Sequence, residues 1–536
     1  MKETAMEPVK QAKNLFKGAF ILAAAAMATK LLSAGYRIPF QNIAGDIGFY
    51  IYQQVYPFYG IAMALATTGF PVVLSKLYAE RGERGGRLLA ASYIILQLFG
   101  LFCFGVLYLG SEFIANLMGD PGLSLLIKVI SVVFVLFPPI SVLRGYFQGK
   151  GDMVPTAASQ IGEQVIRVAT ILAVAVLFTS QGFSLYYVGA GAMLGSITGG
   201  IFSLCLLALF FRKRNQDLLG AVSGRLKTPR LKEIKHAGNI LGLQGLAICT
   251  TSLLMVFIQL GDALNLYSLL VGNGTAPETA KEMKGVFDRG QPLIQLGLAA
   301  ASAISLSVVP LIASSRLTRD KAFLAQKIRL AMQVTAVMGA GAAAGLWMIA
   351  RPANIMLFEN AKGTAVLTVL SLAIFFASLI SAAASILQGR GVLLKPAAAI
   401  VLGFPLKYFL NLALVPKFGT LGAAWATVIT LCGIAIAAVL LLKSSMGGRV
   451  FIWGFFKKTG IALAAMLIFL KFFLAGTDFL YGMGGERSAA AIQAVGSSVF
   501  GAFIYAWAIV RSGVFRAEDL ALFPFGSKLL LMLHKR

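Results

Sequence analysis

Runs of about twenty apolar residues recur from one end of this chain to the other, each long enough to cross a hydrocarbon core of roughly 30 Å. Apolar residues make up 58% of the 536 residues and charged residues 13%, with a mean hydropathy of +0.81. Soluble domains carry roughly 25% charged residues. We therefore predict an all-α protein that crosses a membrane many times, and the composition excludes an ordinary soluble enzyme.

The apolar runs predict about fourteen transmembrane helices. The second is long and contains Pro57, Gly60, Gly69 and Pro71, so we expect it to be kinked; membrane helices tolerate such breakers when neighbours satisfy the freed backbone groups. The predicted helices cover about 16–38, 47–79, 86–112, 122–147, 155–179, 184–211, 236–262, 286–313, 327–350, 363–388, 392–415, 419–443, 453–475 and 487–511.

Positive charge alternates between successive connections. Eight connections hold 34 of the 47 Lys and Arg residues, whereas 113–121 and 180–183 hold none. Excess Lys and Arg marks cytoplasmic loops, so both termini are predicted to be cytoplasmic. The same spread excludes nucleic acid as the partner of this chain of net charge +26, because the basic residues do not gather on one face. The basic connections are 2–17, 76–87, 144–150, 212–235, 316–329, 390–395, 443–458 and 511–536.

The fourth and tenth helices end in similar strings. Gln148-Gly149-Lys150-Gly151 and Gln388-Gly389-Arg390-Gly391 are each followed by Pro-x-Ala-Ala or Pro-Ala-Ala, which indicates a parallel repeat of six helices. Such repeats place a substrate site between two lobes. Bulky substitution at Gly149 or Gly389 is expected to impair transport. The predicted parts are an N-lobe (1–213), a basic cytoplasmic linker (214–235), a C-lobe (236–443), and two further helices with a tail (444–536).

Cations inside the predicted spans are candidate substrate ligands, because a charge there costs at least ~2.5–3.5 kcal/mol and usually faces a protein interior or a wet cavity. Lys30 lies mid-way along the first helix, and Arg37 follows two turns up the same face. Lys128, Arg289 and Lys407 lie towards the outer half, and snorkelling to the interface is the alternative for these three. A cavity lined by cations suits an anion, and the Arg fork matches phosphate oxygens.

Acidic side chains are scarce in the spans. Only Glu163 is predicted to lie deep, with Asp46, Asp262 and Asp288 at helix ends. Glu163 and Arg167 are spaced i,i+4 in the favourable order, so a local ion pair is predicted. The residues predicted to have structural or gating roles are Asp46, Arg144, Gly149, Glu163, Arg167 and Gly389.

Catalytic and metal-binding motifs are missing from the sequence. It has no GxxxxGK[ST], GxSxG or HExxH string, and its four cysteines lie singly in apolar runs with only two histidines in the chain. We expect neither an enzyme nor a cofactor nor a metal, and coupling to the membrane potential or to an ion gradient stays open.

Several strings also resemble the stage V sporulation protein B branch of the polysaccharide-exporter flippases. That branch belongs to the superfamily that also holds the MurJ-type lipid II flippases, the O-antigen flippases and the multidrug and toxin extruders. The resemblance covers essentially all fourteen predicted helices. The strings that carry it are 44–46 (AGD), 56–60 (YPFYG), 69–71 (GFP), 144–149 (RGYFQG) and 288–292 (DRGQP).

The resemblance implies two six-helix lobes, alternating access and an undecaprenyl-diphosphate-linked sugar as cargo. It also implies that helices thirteen and fourteen form a groove for the lipid tail. Lys30 and Arg37 fall where MurJ-like proteins place two arginines, and Arg289 lies near a cationic position of the eighth helix. Lys30 lacks the fork of an arginine, and Ile38 stands where an acid often follows, so another lipid-linked oligosaccharide or a teichoic-type precursor is an alternative cargo.

Three functions follow as hypotheses. In the first, a flippase of the cytoplasmic membrane holds the diphosphate of a lipid-linked anionic glycan with Lys30, Arg37 and Arg289 while the tail stays among membrane lipids. In the second, a cation-coupled drug extruder exchanges a proton or Na⁺ at a buried carboxylate, for which Glu163 is the deep candidate. In the third, a non-transporting scaffold binds envelope-biosynthesis enzymes, and its cavity charges are dispensable.

Overall fold

The computed structural model describes residues 2–81, 85–214, 229–313, 321–446, 450–451, 453–483 and 485–515. Most of the predicted cytoplasmic linker and most of the C-terminal tail lie outside these residues. The chain forms two compact units, Met1–Gly285 and Val286–Arg536. Every regular element within the described ranges is helical, which confirms the predicted all-α class.

The helices of the first unit are α1 (Lys2–Gly35), α2 (Arg37–Ala64), α3 (Phe70–Arg81), α4 (Gly85–Leu109), α5 (Ser111–Leu117), α6 (Ser124–Ser131), α7 (Val133–Gly149), α8 (Val154–Ser180), α9 (Leu185–Arg214), α10 (Leu231–Ile240), α11 (Leu246–Ser252) and α12 (Leu254–Gly272). Helix α13 (Pro277–Asp288) follows. The second unit holds α14 (Gly290–Ala313), α15 (Lys321–Phe358), α16 (Thr364–Gly389), α17 (Leu394–Met446), α18 (Trp453–Thr477), α19 (Leu480–Met483) and α20 (Glu486–Arg511).

Eleven helical segments in the described ranges are long and apolar enough to cross a membrane, so the chain is a multi-pass membrane protein. The number of about fourteen spans stays a prediction. Two of the eleven segments contain a break at a glycine with left-handed backbone. Gly45 (φ 71°) lies between the first two predicted helices, and Gly419 (φ 58°) is the first residue of the twelfth. A residue with a Cβ atom rarely adopts such angles, which is why glycine stands at both turns.

The predicted kink of the second helix is a π turn, Leu65–Gly69, between α2 and α3. A second π turn, Leu241–Gly245, joins α10 to α11 and packs in the same region of the first unit. The glycines make this packing close. A Cβ atom on Gly69 would lie 1.7 Å from Cys249 Sγ, and one on Gly245 would lie 2.9 Å from the ring of Phe70. π turns leave a backbone carbonyl without its usual helical partner, so each needs support from neighbours.

The repeated strings fold into matching turns. After α7, Gly151 N–H donates to Gln148 O and Asp152 N–H to Phe147 O; after α16, Gly391 N–H donates to Gln388 O and Val392 N–H to Leu387 O. Both are Schellman motifs, whose C′ residue is left-handed, and Gly151 (φ 77°) and Gly391 (φ 82°) have that conformation. Local geometry therefore matches the repeat in the sequence.

The glycines that precede these turns differ in their surroundings. A Cβ atom on Gly149 would lie 2.9 Å from Ser75 O on α3, whereas one on Gly389 would meet nothing within 4 Å. The structure therefore gives a packing reason for the predicted effect at Gly149 but none at Gly389, and the effect of either substitution on transport stays a prediction.

In the second unit, α15 packs against α16 and against the last long helices, α18 and α20. The Tyr505 hydroxyl donates to Val337 O at 2.8 Å, and a Cβ atom on Gly341 would lie 2.4 Å from the Tyr505 ring. This core contains Met332, Met466 and Leu470, each at most 2% exposed. Close contact at a small residue is the usual way that membrane helices associate.

Candidate functional site

Two arginines and a group of tyrosines form a buried cluster where α1, α2 and α8 meet. Arg37 Cζ lies 4.2 Å from the centre of the Tyr56 ring. Arg167 Cζ lies 3.9 Å from the centre of the Tyr59 ring and 5.7 Å from that of Tyr56, so both guanidinium groups face one aromatic ring. Cation–π contacts are stronger when they are desolvated, and the exposures of Arg37 and Arg167 are 0% and 1%.

The hydrogen bonds of the two arginines differ. Arg167 Nη2 donates to the hydroxyls of Tyr36 at 3.1 Å and Tyr52 at 3.0 Å, which lie 2.8 Å from each other. The Nε, Nη1 and Nη2 atoms of Arg37 have no hydrogen-bond partner within the described part of the chain. Buried guanidinium nitrogens without an acceptor are costly, so Arg37 is the group of this cluster that is suited to an incoming anion.

The predicted ion pair of Glu163 with Arg167 is wrong. Arg144 Nη2, from α7, donates to Glu163 Oε2 at 2.7 Å instead, and both side chains are nearly inaccessible. Arg167 lies over the tyrosine rings, so packing between helices decides the partners, not the spacing within α8. Glu163 is thereby neutralised within the first unit.

Arg144 also supports the π turn. Five hydrogen bonds leave its guanidinium, which is the number of N–H groups that an arginine carries. Two of them reach the π turn, at Ala66 O and Thr67 Oγ1. The acceptors are Glu163 Oε2 at 2.7 Å, Ser159 Oγ and Ser203 Oγ at 3.0 Å, Ala66 O at 3.2 Å and Thr67 Oγ1 at 3.4 Å.

The predicted cations of the first unit lie in different surroundings. Lys30 is exposed whereas Arg37 is fully buried, although only two helical turns separate them. Lys128 is half-exposed and forms an ion pair with Glu112 at 3.1 Å, as expected of a side chain that extends to the interface. Asp46 follows the break at Gly45 and accepts a hydrogen bond from Gln41 Nε2 at 3.0 Å, so it ties the two sides of that break together.

The remaining predicted cations belong to the second unit. Arg289, 2% exposed, donates from Nη1 to Asn360 Oδ1 at 2.8 Å and lies 5.2 Å from the Phe358 ring centre. Lys407 is fully buried within α17, which excludes snorkelling, and its ammonium donates to Asn411 Oδ1 and to Ala423 O. The cargo roles of these residues stay predictions.

Asp262 carries a buried carboxylate, although we predicted this residue to lie at a helix end. It lies in the middle of α12 and is 1% exposed. The predicted helix ended at residue 262, whereas α12 begins at Leu254 and continues to Gly272. A shift of the helix boundary therefore moves Asp262 from the interface into the bundle.

A polar cluster around Asp120 was also missed. The Tyr186 hydroxyl lies 2.7 and 2.8 Å from the two carboxylate oxygens, and the Tyr50 hydroxyl donates at 3.1 Å. Lys281 of α13 lies 5.6 Å from the Tyr186 ring centre. Burial disfavours its charge, but hydrogen bonds to Glu278 and Tyr186 outweigh that effect and hold the pKa of Lys281 above its usual value. Tyr50, Asp120 and Tyr186 lie far apart in the sequence, so no local pattern could have revealed this cluster.

Comparison with known sequences decides the family. The sequence model of the family described as "Polysaccharide biosynthesis protein" matches residues 15–316. The membrane protein YabM of Bacillus subtilis (strain 168) is 42% identical over 527 residues, which cover 97% of each chain. The chain belongs to the polysaccharide biosynthesis protein family. The chain is also 24% identical to the lipid II flippase MurJ of the same organism, over 93% of this chain and 96% of MurJ.

Solved structures confirm the predicted superfamily fold. The lipid II flippase MurJ in an inward closed conformation has a TM-score of 0.68, with 16% identity, over 94% of this chain and 99% of that one. An inward-facing multidrug resistance MATE transporter of the MOP superfamily has a TM-score of 0.63, with 16% identity, over 80% and 98%. The chain therefore has the fold of the MOP superfamily.

Proposed function

We propose that this protein moves a lipid-linked anionic glycan, of the undecaprenyl-diphosphate class, across the cytoplasmic membrane by alternating access. The observation that carries the proposal is Arg37, which is fully buried and has three guanidinium nitrogens without a hydrogen-bond partner in the described structure. We further propose that both termini are cytoplasmic, as the alternating basic connections indicate.

The chemistry of the cluster favours an anionic group. Arg37 and Arg167 face the same Tyr56 ring, and tyrosine rings stabilise cations without neutralising them. The positive charge therefore remains available to phosphate oxygens, which match the donor fork of an arginine. Because Arg37 is closed off in this conformation, the cargo reaches it only after the helices around it separate. Exposed Lys30, on the same helical path, would meet the headgroup first.

The drug-extruder alternative needs a carboxylate that is free to exchange a proton or Na⁺. Glu163 is held by Arg144 at 2.7 Å and is poorly suited to this task. Asp262 is the second deep acid, so it is the residue through which that alternative is tested. The related proteins include lipid II flippases as well as a multidrug transporter, so family likeness alone does not separate the two.

The test is binding of undecaprenyl diphosphate to purified protein, measured by native mass spectrometry. Arg37→Met keeps most of the side-chain volume and removes the charge. Loss of one cation from a phosphate site costs about 1.5–3 kcal/mol, or roughly one to two decades of affinity. Lys30→Glu should weaken binding most, because it reverses the field at the entry. Lys128→Met is the matched control, since Lys128 is paired with Glu112, and it should bind normally.

Stability separates this role from a structural one. A charge that is buried without a hydrogen-bond partner destabilises the empty protein, so Arg37→Met should melt at the same temperature as the parent or higher. If Arg37 had a structural role instead, its replacement would lower the melting temperature of the protein. Unchanged binding of undecaprenyl diphosphate in both Arg37→Met and Lys30→Glu would refute the anion site. Loss of cationic dye export in Asp262→Asn would favour the drug-extruder alternative.

A further inference from the structure

The ammonium of Lys407 is enclosed by oxygen ligands in the second unit. The side chain is 0% exposed in the middle of a transmembrane segment. Its Nζ donates to Asn411 Oδ1 at 2.9 Å, one turn further along the helix, and to Ala423 O at 2.7 Å. A lysine that merely extended to the interface would not show this closed geometry, so the site is built around a cation.

A break in the helix supplies one of these oxygens. Gly419 has φ 58° and ψ −138°, which turns the chain back so that residues after it approach residues before it. A Cβ atom on Gly422 would lie 2.3 Å from Leu414 O, so the two backbones are in direct contact there. The approach brings the Ala423 carbonyl to Lys407, and the Thr427 hydroxyl donates to the same carbonyl at 3.1 Å.

The ligand types are those of an alkali cation. A backbone carbonyl and a carboxamide oxygen are neutral, hard donors, and carbonyl oxygens replace the hydration shell of K⁺ in channels. Secondary transporters commonly bind their coupling cation with backbone carbonyls at an interrupted helix. In this chain the interrupted helix and its carbonyl are present, and an ammonium group that is covalently part of the protein lies against them.

We infer that Lys407 is a tethered cation, which permanently occupies a position suited to Na⁺ or K⁺. The protein then needs no exchangeable alkali cation at this site, and removal of the ammonium creates a site that binds one. The inference concerns ion binding and does not depend on the cargo, so it holds or fails independently of the proposed function.

The experiment compares the melting temperatures of full-length protein in NaCl, KCl and choline chloride at equal ionic strength. Lys407→Ala leaves space for an ion, whereas Lys407→Met fills that space with an apolar chain. The parent and Lys407→Met should melt at one temperature in all three salts. Lys407→Ala should melt lower in choline chloride and rise saturably, by about 3–5 °C, in NaCl or KCl.

A second measurement covers the case in which Lys407→Ala does not fold. We expect the parent protein to have no saturable ²²Na⁺ site that depends on Asn411. A saturable site that is present in the parent and lost in Asn411→Ala would overturn the inference. Lys407→Ser, whose hydroxyl can supply a further oxygen ligand, then replaces Lys407→Ala in the melting series. A folded Ala or Ser variant that responds equally to all three salts would also overturn it.

Discussion

Removal of Arg144 should reveal how much the first unit depends on a single side chain. Arg144→Met leaves Glu163 buried at 5% exposure without its cation, and removes a hydrogen bond to the Ala66 carbonyl of the π turn. The Ser159 and Ser203 hydroxyls also lose the hydrogen bonds that Arg144 donates to them. The substitution preserves volume, so the effect reports on lost hydrogen bonds and charge, with little contribution from a cavity.

The expected size follows from the burial of the pair. Breaking a buried pair by removal of one partner costs about 3–5 kcal/mol, because the other charge is left uncompensated. At about 2 °C per kcal/mol for a unit of this size, the melting temperature should fall by about 6–10 °C. Arg87→Met is the matched control. Arg87 and Glu233 lie 3.7 Å apart and are partly exposed, so its loss should change the melting temperature by about 2 °C at most.

A double-mutant cycle isolates the interaction, measured as melting temperature of detergent-purified protein. Glu163→Gln alone should be mild, about 1–2 kcal/mol, since an amide oxygen still accepts from Arg144. Arg144→Met with Glu163→Gln should be more stable than Arg144→Met alone, because no buried charge remains. A double variant whose loss equals the sum of the two single losses would refute the pairing.

The remaining predictions concern the repeat and the topology. Gly149→Val should reduce transport and stability because the new side chain would clash with Ser75 O, whereas Gly389→Val should have little effect. Equal effects of the two substitutions in a complementation assay would contradict the packing difference. Single cysteines in 113–121 or 180–183, in a cysteine-free background, should react with an impermeant maleimide added outside intact cells, and cysteines in 215–230 should react only after permeabilisation. The reverse pattern would overturn the predicted orientation.

Much of the fold could be predicted because the membrane restricts the choices so strongly. Apolar length alone indicates spanning helices, and the breakers between Pro57 and Pro71 predicted a kink where the structure has the π turn Leu65–Gly69. The repeated strings around Gly151 and Gly391 predicted equivalent turns, and their hydrogen bonds match. These features are local, so one sequence is enough to find them.

The candidate site was less predictable, because its contacts join distant parts of the chain. The Glu163 partner lies on another helix, and spacing within one helix cannot reveal it. Asp262 was misplaced because the predicted helix ended at residue 262, whereas α12 runs from Leu254 to Gly272. Tyr52, Tyr56 and Tyr59 are spaced as one helix face, which is also the pattern of an ordinary core, so their contact with two arginines required the structure.

The contact between the first π turn and α11 makes Cys249 a natural reporter of motion. Its thiol is 1% exposed and lies where a Cβ atom on Gly69 would be, so no alkylating reagent can reach it while α11 packs against Gly69. Alkylation of Cys249 then requires α11 to separate from Gly69. The alkylation rate therefore depends on how often this separation occurs in the unaltered protein. Cys205 is exposed and would report the intrinsic reactivity of a thiol in the same molecule. The modification rate of Cys249 relative to that of Cys205 therefore measures how often the helices around Cys249 separate.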